Sequence, residues 1–111
     1  MNLLFICSKN HWRSPTAEKI FGKLPIVKTR SCGTANSARK VISSADIEWA
    51  DLIFVMEQSH KQRIKSLFSD ALRSNKLFVL DIPDDYKFMD PELIEILEKT
   101  VTPILEKECH G

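Results

Sequence analysis

Four short apolar runs divide this chain, and the hydrophobic period changes between them. NLLFIC (2–7), IVKTRSC (26–32), DLIFVM (51–56) and KLFVLDI (76–82) each have the length and content of a strand. The first and third are continuously apolar, as strands buried on both faces are. The second is more polar and belongs nearer a sheet edge. Helical spacing takes over between the runs. Ala17, Ile20, Phe21 and Leu24 fall at i, i+3, i+4 and i+7, with Ser14 as N-cap, Pro15 at the first helical position and Gly22 to Pro25 as the stop. Residues 33–44 read as a polar connection anchored by Val41 and Ile42, and SSADIEWA (43–50) as a short helix capped by Ser44. A third helix starts at Gln58 or Ser59 and runs to about Phe68, burying Ile64, Leu67 and Phe68. Asp90 caps the last helix, with Pro91 in its first turn. Leu93, Ile94, Leu97, Val101, Ile104 and Leu105 face the core there, and Pro103 should kink or break it.

The order β-α-β-(α)-β-α-β-α predicts an α/β fold: three layers, a four-stranded parallel sheet with helices on both faces. At 111 residues the chain fits one domain, 1–111, able to bury a core of modest reserve. There is no internal repeat, linker or low-complexity segment. LLFI is too short for a signal-peptide core, and no run approaches the roughly 20 apolar residues of a membrane span. The three cysteines (7, 32, 109) are odd in number and form no CxxC pair, which argues against a disulfide framework and a four-ligand zinc site. A soluble protein in the reducing cytoplasm is the expectation, with no membrane partner.

The net charge of +1 conceals a division. Residues 1–40 carry eight Lys or Arg and one acid, Glu18, whereas the remainder carries eight basic and fourteen acidic residues. A basic first third points to an anionic ligand there; the competing reading is a solvated basic face packed on an acidic one.

Ligands in such sheets sit beyond the carboxyl ends of the strands, where Cys7 and Asp84 fall. The segment from Cys7 to Ser14 leaves a strand and enters a helix. A loop there can turn successive N–H groups inward as a cup for an anion, with the helix N-terminus adding its free donors. Arg13 offers a planar fork for two phosphoryl oxygens. Cys7 lies at the floor, in positive surroundings that favour a thiolate, placed for in-line attack on phosphorus. Ser14 can hydrogen-bond that thiolate. Ser8, Lys9, Asn10, His11 and Trp12 complete the loop; His11 and Trp12 read either as exposed loop residues or, for Trp12, as a pocket wall. IPDDYKF (82–88) offers Asp84 and Asp85 as the general acid, adjacent carboxylates that disfavour each other's ionisation, and Tyr86 to stack on an aromatic substrate. On their own the two aspartates also suit a turn. Cys32 and Cys109 read as structural or surface thiols.

CSKNHWRS (7–14) resembles the Cys-x5-Arg-Ser phosphate-binding loop of the low-molecular-weight protein tyrosine phosphatases. SPTAEKIF (14–21) is similar to the helix after that loop, RSCGT (30–34) to the family's Ser-Ala-Gly-Thr turn, ADLIFVMEQSHKQRI (50–64) to the strand and helix that follow, and IPDDY (82–86) to its acid loop. The resemblance implies Cys7 as nucleophile, Arg13 as phosphate clamp, Ser14 as the thiolate's partner, Asn10 as holder of a strained loop backbone and Asp84 as general acid. Asp85 stands where the family has proline after the acid and is the alternative. Trp12 replaces the family's second loop cysteine, which removes disulfide protection within the loop. Lys9 replaces a common glycine. Little room remains between Thr34 and Ser44 for a helix that larger members carry.

The expected function is a metal-independent, cofactor-free phosphomonoesterase, protein-tyrosine-phosphatase-like, that hydrolyses aryl phosphates through a phosphocysteine. Its partners would be a phosphorylated protein or small aryl phosphate, with inorganic phosphate as product. Alternatives are arsenate reduction on the same scaffold, which needs resolving cysteines, and a non-catalytic phosphate-binding module. The aromatic interleaving of nucleic-acid surfaces is absent, so nucleic acid is not an expected partner.

Overall fold

The computed structural model describes residues 1–72 and 76–110. The four apolar runs form β1 (Asn2–Cys7), β2 (Lys28–Gly33), β3 (Leu52–Val55) and β4 (Lys76–Val79), all parallel, in the order β2-β1-β3-β4. Four helices alternate with them: α1 (Arg13–Phe21), α2 (Ser44–Trp49), α3 (Gln58–Phe68) and α4 (Pro91–His110). The α/β reading therefore holds, and the polar second strand lies at an edge.

Period-2 alternation divides the core into two layers. Leu3, Phe5 and Cys7 of β1 join Leu52, Phe54 and Met56 on one face, under α1 and α4. Leu4 and Ile6 join Cys32, Ile53 and Val55 on the other, under α2 and α3. On the first face the rings of Phe5, Phe54 and Phe78 meet in register across three strands, at centroid separations of 5.2 and 5.4 Å. Each such pair adds about 0.5–1.5 kcal/mol beyond its buried area.

The chain leaves β1 toward β2 on one side and is later joined by β3 on the other. The sheet thus reverses its order between β1 and β3, and the crevice at their carboxyl ends is where such a fold binds ligands.

Several local expectations are corrected. Ser14 does not cap α1: the helix begins at Arg13 with Trp12 at the N-cap position, and the Ser14 hydroxyl is turned to Cys7. Leu24 lies beyond the helix and is exposed. The cap of α2 is Ser43, in a capping box with Asp46, because Ser44 is already helical. In α3, Leu67 is exposed and His60 is buried with Ile64. Val41 joins the sheet through a backbone bridge to Gly33 with its side chain exposed, while Ile42 supplies the apolar anchor. Ile94 is only half-buried. Pro103 does not break α4, which runs through it with the proline on the exposed face, where water can take the place of the missing N–H donor. Among the described residues, no helix is long and apolar enough to cross a membrane.

Candidate active site

The loop between β1 and α1 is shaped from outside. The carbonyls of Cys7 and Ser8 accept the N–H groups of Thr34 and Ala35 at 3.0 Å, and the Lys9 carbonyl accepts that of Arg39 at 2.9 Å. The Asn10 carbonyl accepts Arg39 Nε at 3.0 Å. Four successive carbonyls are thus held by the segment after β2. Because each peptide is planar, its N–H points the opposite way, toward the inside of the loop. Gly33 allows this close docking: a Cβ there would lie 2.5 Å from the Ser8 carbonyl oxygen and 2.6 Å from the Ala38 Cβ.

Asn10 turns the chain at φ 58°, the left-handed region that asparagine tolerates better than most residues. Its fully buried side chain donates to the hydroxyls of Ser14 and Ser31, each at 2.9 Å, which ties the loop to α1 and β2. Its backbone N–H reaches Cys7 Sγ at 3.3 Å, and the Ser14 hydroxyl lies 2.9 Å from the same sulfur. The sulfur is therefore met by a backbone N–H from mid-loop and by a hydroxyl from the first turn of α1, which can donate to it once it is a thiolate.

Arg13 is buried, with Nη1 donating to the Ile82 carbonyl at 2.8 Å and lying 3.4 Å from Glu57 Oε2. Its Nε is 3.5 Å from Asp84 Oδ1 and has no hydrogen-bond partner among the described residues. The Asp84 carboxylate offsets the Arg13 charge without a hydrogen bond to Nε, and an anion in the cup could accept that N–H. The 82–90 segment is pinned to α1 at two points: Ile82 through Arg13, and the Met89 N–H on the Thr16 hydroxyl at 2.9 Å. That brackets Asp84 over the loop.

Cys7, Lys9, His11, Trp12, Arg13 and Asp84 enclose a cup of about 190 Å³. The side chains of Ser8, Asn10 and Ser14 are not among its lining; they bond to His60, Ser31 and Cys7 around it, while the backbone N–H groups of the loop turn inward. The Lys9 ammonium is hydrogen-bonded to the Ser37 hydroxyl. Asp85 is exposed and outside the cup, and Tyr86 packs in part on the core beneath α4 instead of lining it. Cys32 emerges on the opposite sheet face from Cys7, and burial, reinforced by the Asp46 carboxylate, pushes its thiol well above the usual cysteine range. All three cysteines are free. Among the described residues no cluster of His, Cys, Asp or Glu is placed to hold a metal ion.

Two residues missed from the sequence complete the arrangement. The buried His60 places Nε2 2.8 Å from Ser8 Oγ, while its Nδ1 accepts the Glu57 N–H at 3.1 Å. Glu57 faces both Arg13 and His60. MEQSH follows β3, the strand beside β1, so its place at the carboxyl edge was the available signal.

No protein-family model matches the chain, and no curated protein matches its sequence. Solved structures do. The tyrosine phosphatase Wzb from Escherichia coli K30, in complex with phosphate, is 26% identical with a TM-score of 0.77, over 96% of both chains. The low molecular weight protein tyrosine phosphatase SP-PTP from Streptococcus pyogenes is 17% identical with a TM-score of 0.75, over 96% of this chain and 91% of that one. The YwlE arginine phosphatase from Geobacillus stearothermophilus is 21% identical with a TM-score of 0.64, over 96% of both. The resemblance carried by the Cys-x5-Arg-Ser loop thus extends to the whole fold.

Proposed function

We infer that this chain is a cysteine-dependent phosphatase of the low-molecular-weight tyrosine phosphatase type, acting on aryl phosphates such as phosphotyrosine in proteins, with no metal. Residues 1–111 are read as one catalytic domain. The observation that carries the reading is the buried Arg13, which lines the cup with Cys7 and Asp84 and whose Nε, 3.5 Å from Asp84 Oδ1, makes no hydrogen bond among the described residues.

In this reading the substrate phosphate enters the cup and accepts the inward N–H groups of the loop and the Arg13 fork. The Cys7 thiolate attacks phosphorus in line; the S–P bond forms as the P–O bond to the aryl group breaks. Asp84 gives its proton to the leaving oxygen. Asp84 then takes a proton from water as that water attacks the phosphocysteine, which releases inorganic phosphate and returns the thiolate. Ser14 and the Asn10 N–H hold the negative charge on sulfur in both steps. His60 holds Ser8, and Glu57 holds Arg13; both are positioning residues.

Arsenate reduction is disfavoured, since Cys32 lies across the sheet from Cys7 and Cys109 sits beside Met1. Three free thiols support a reducing cytoplasmic setting. Nucleic acid is not part of the reading.

Hydrolysis of p-nitrophenyl phosphate in EDTA tests it. Turnover by the reduced wild type that is lost in Cys7→Ser is the expected result. A folded, reduced wild type without turnover overturns it and favours a phosphate-binding module.

A further inference from the structure

The cup is sized for a phosphate and its ester oxygen. Beside it lies a second, open groove of about 500 Å³ that shares His11 and Trp12 with it. Pro15, Glu18 and Lys19, at i, i+3 and i+4, present one face of α1 to this groove. Arg39 and Phe88 reach it from the segments after β2 and β4.

Two large aromatic side chains are left at the surface here, Trp12 at 41% and Phe88 at 45% exposure. Single exposed aromatics are ordinary; two on one groove beside a reactive centre are a patch. Both are held by the bonds that hold the loop. The Trp12 carbonyl accepts the Thr16 hydroxyl at 2.6 Å, and that same hydroxyl takes the N–H of Met89, next to Phe88. The Lys19 ammonium stands 5.7 Å from the Phe88 ring centre. Among the described residues that line the groove Glu18 is the one carboxylate, held by the Ser31 hydroxyl at 2.6 Å, and Lys19 and Arg39 outnumber it, which leaves the groove net positive.

We propose that this groove is a polypeptide subsite: when a phosphorylated residue fills the cup, it receives a bulky apolar neighbour and an acidic neighbour from the same segment. The proposal rests on the phosphatase reading. Continuity with the cup brings flanking residues over the groove. Trp12, Pro15 and Phe88 suit an apolar side chain, and Lys19 with Arg39 suits a carboxylate. The substrate class is then a phosphorylated protein segment, and a small aryl phosphate uses the cup alone.

The test compares wild type, Phe88→Ala and Lys19→Ala on p-nitrophenyl phosphate and on two phosphotyrosyl peptides. One peptide has Leu and Asp on either side of the phosphotyrosine, the other Gly at those positions. Wild type should favour the Leu/Asp peptide by about tenfold in kcat/KM, the effect of burying one apolar side chain. Phe88→Ala should erase that preference through KM, with p-nitrophenyl phosphate hydrolysis unchanged. Lys19→Ala should weaken it and reduce its salt dependence. Equal rates for the two peptides overturn the proposal, as does a Phe88→Ala loss shared by all three substrates. So does a change in sedimentation without a change in peptide kinetics, which would assign the groove to a second copy of the chain. Titrating both peptides into Cys7→Ser reads the groove without turnover, so a failure to hydrolyse p-nitrophenyl phosphate overturns the phosphatase reading alone.

Discussion

His60 reaches from the first turn of α3 to the second residue of the cup's loop, with Nε2 2.8 Å from Ser8 Oγ. Since Nδ1 accepts the Glu57 N–H, the neutral ring carries its proton on Nε2 and donates it to Ser8. Burial lowers the pKa of His60 below the ordinary 6.5, and the Arg13 charge pushes the same way, against the Glu57 and Asp84 carboxylates. The unfolded chain therefore binds this proton at higher pH than the folded one. The resulting stability is complete above the ordinary histidine value and is lost as pH falls from there toward the lowered folded value. The melting temperature of wild type should fall between about pH 7 and pH 5, around the ordinary histidine pKa, more than that of His60→Gln. Equal falls in thermal scans would show that His60 does not carry the effect.

Ser14→Ala removes the hydroxyl 2.9 Å from Cys7 Sγ and leaves the backbone of α1 unchanged. A hydrogen bond to a charged group contributes about 1.5–3 kcal/mol, so kcat should drop roughly 10- to 100-fold. KM should change little, because the phosphate donors remain. Steady-state kinetics with a reduced enzyme measures both; a KM effect alone would mean that Ser14 only shapes the loop.

Asp84 and Asp85 are adjacent in sequence, but only Asp84 borders the cup. Asp84→Asn should slow hydrolysis of phenyl phosphate by about 10²–10⁴-fold, the usual scale of general acid catalysis. The loss should shrink with p-nitrophenyl phosphate, whose leaving group needs a proton less. Asp85→Asn should leave both rates near wild type. The reverse ranking would transfer the acid role to Asp85.

Gly33→Ala would set a Cβ against the Ser8 carbonyl and Ala38, both parts of the loop's outer wall. Overpacking of this kind costs about 1–3 kcal/mol. Urea denaturation should show the loss, and the affinity for inorganic phosphate should fall with it, since the displaced carbonyls no longer orient the N–H groups. A stability loss with unchanged phosphate affinity would separate Gly33 from the site.

Some of this was written in the local sequence. The two-residue and 3.6-residue periods mark strands and helices through the positions of neighbouring side chains, and NLLFIC followed by Cys-x5-Arg-Ser-Pro identifies a strand, a loop and a helix in one reading. The polar composition of KTRSC gave away an edge strand. Caps were less legible: Ser43 and Ser44 are both competent, and helix phase alone decides between them. Ser14 looked like a cap because serine usually is one, and only the folded loop shows that its hydroxyl belongs to Cys7.

The assembly of the site across the sheet was not legible. His60 and Glu57 reach the loop because β3 lies beside β1, and Cys32 is lost to the far face because it pairs with Ile6 on the side away from Cys7; Asp84 was expected at the strands' carboxyl ends, but not the ties of Ile82 and Met89 to α1 that hold it there. Periodicity reports which face of an element is apolar, a property of neighbours in the chain. Which remote segments meet at one carboxyl edge depends on strand order and register, and these are decided only when the faces pack together.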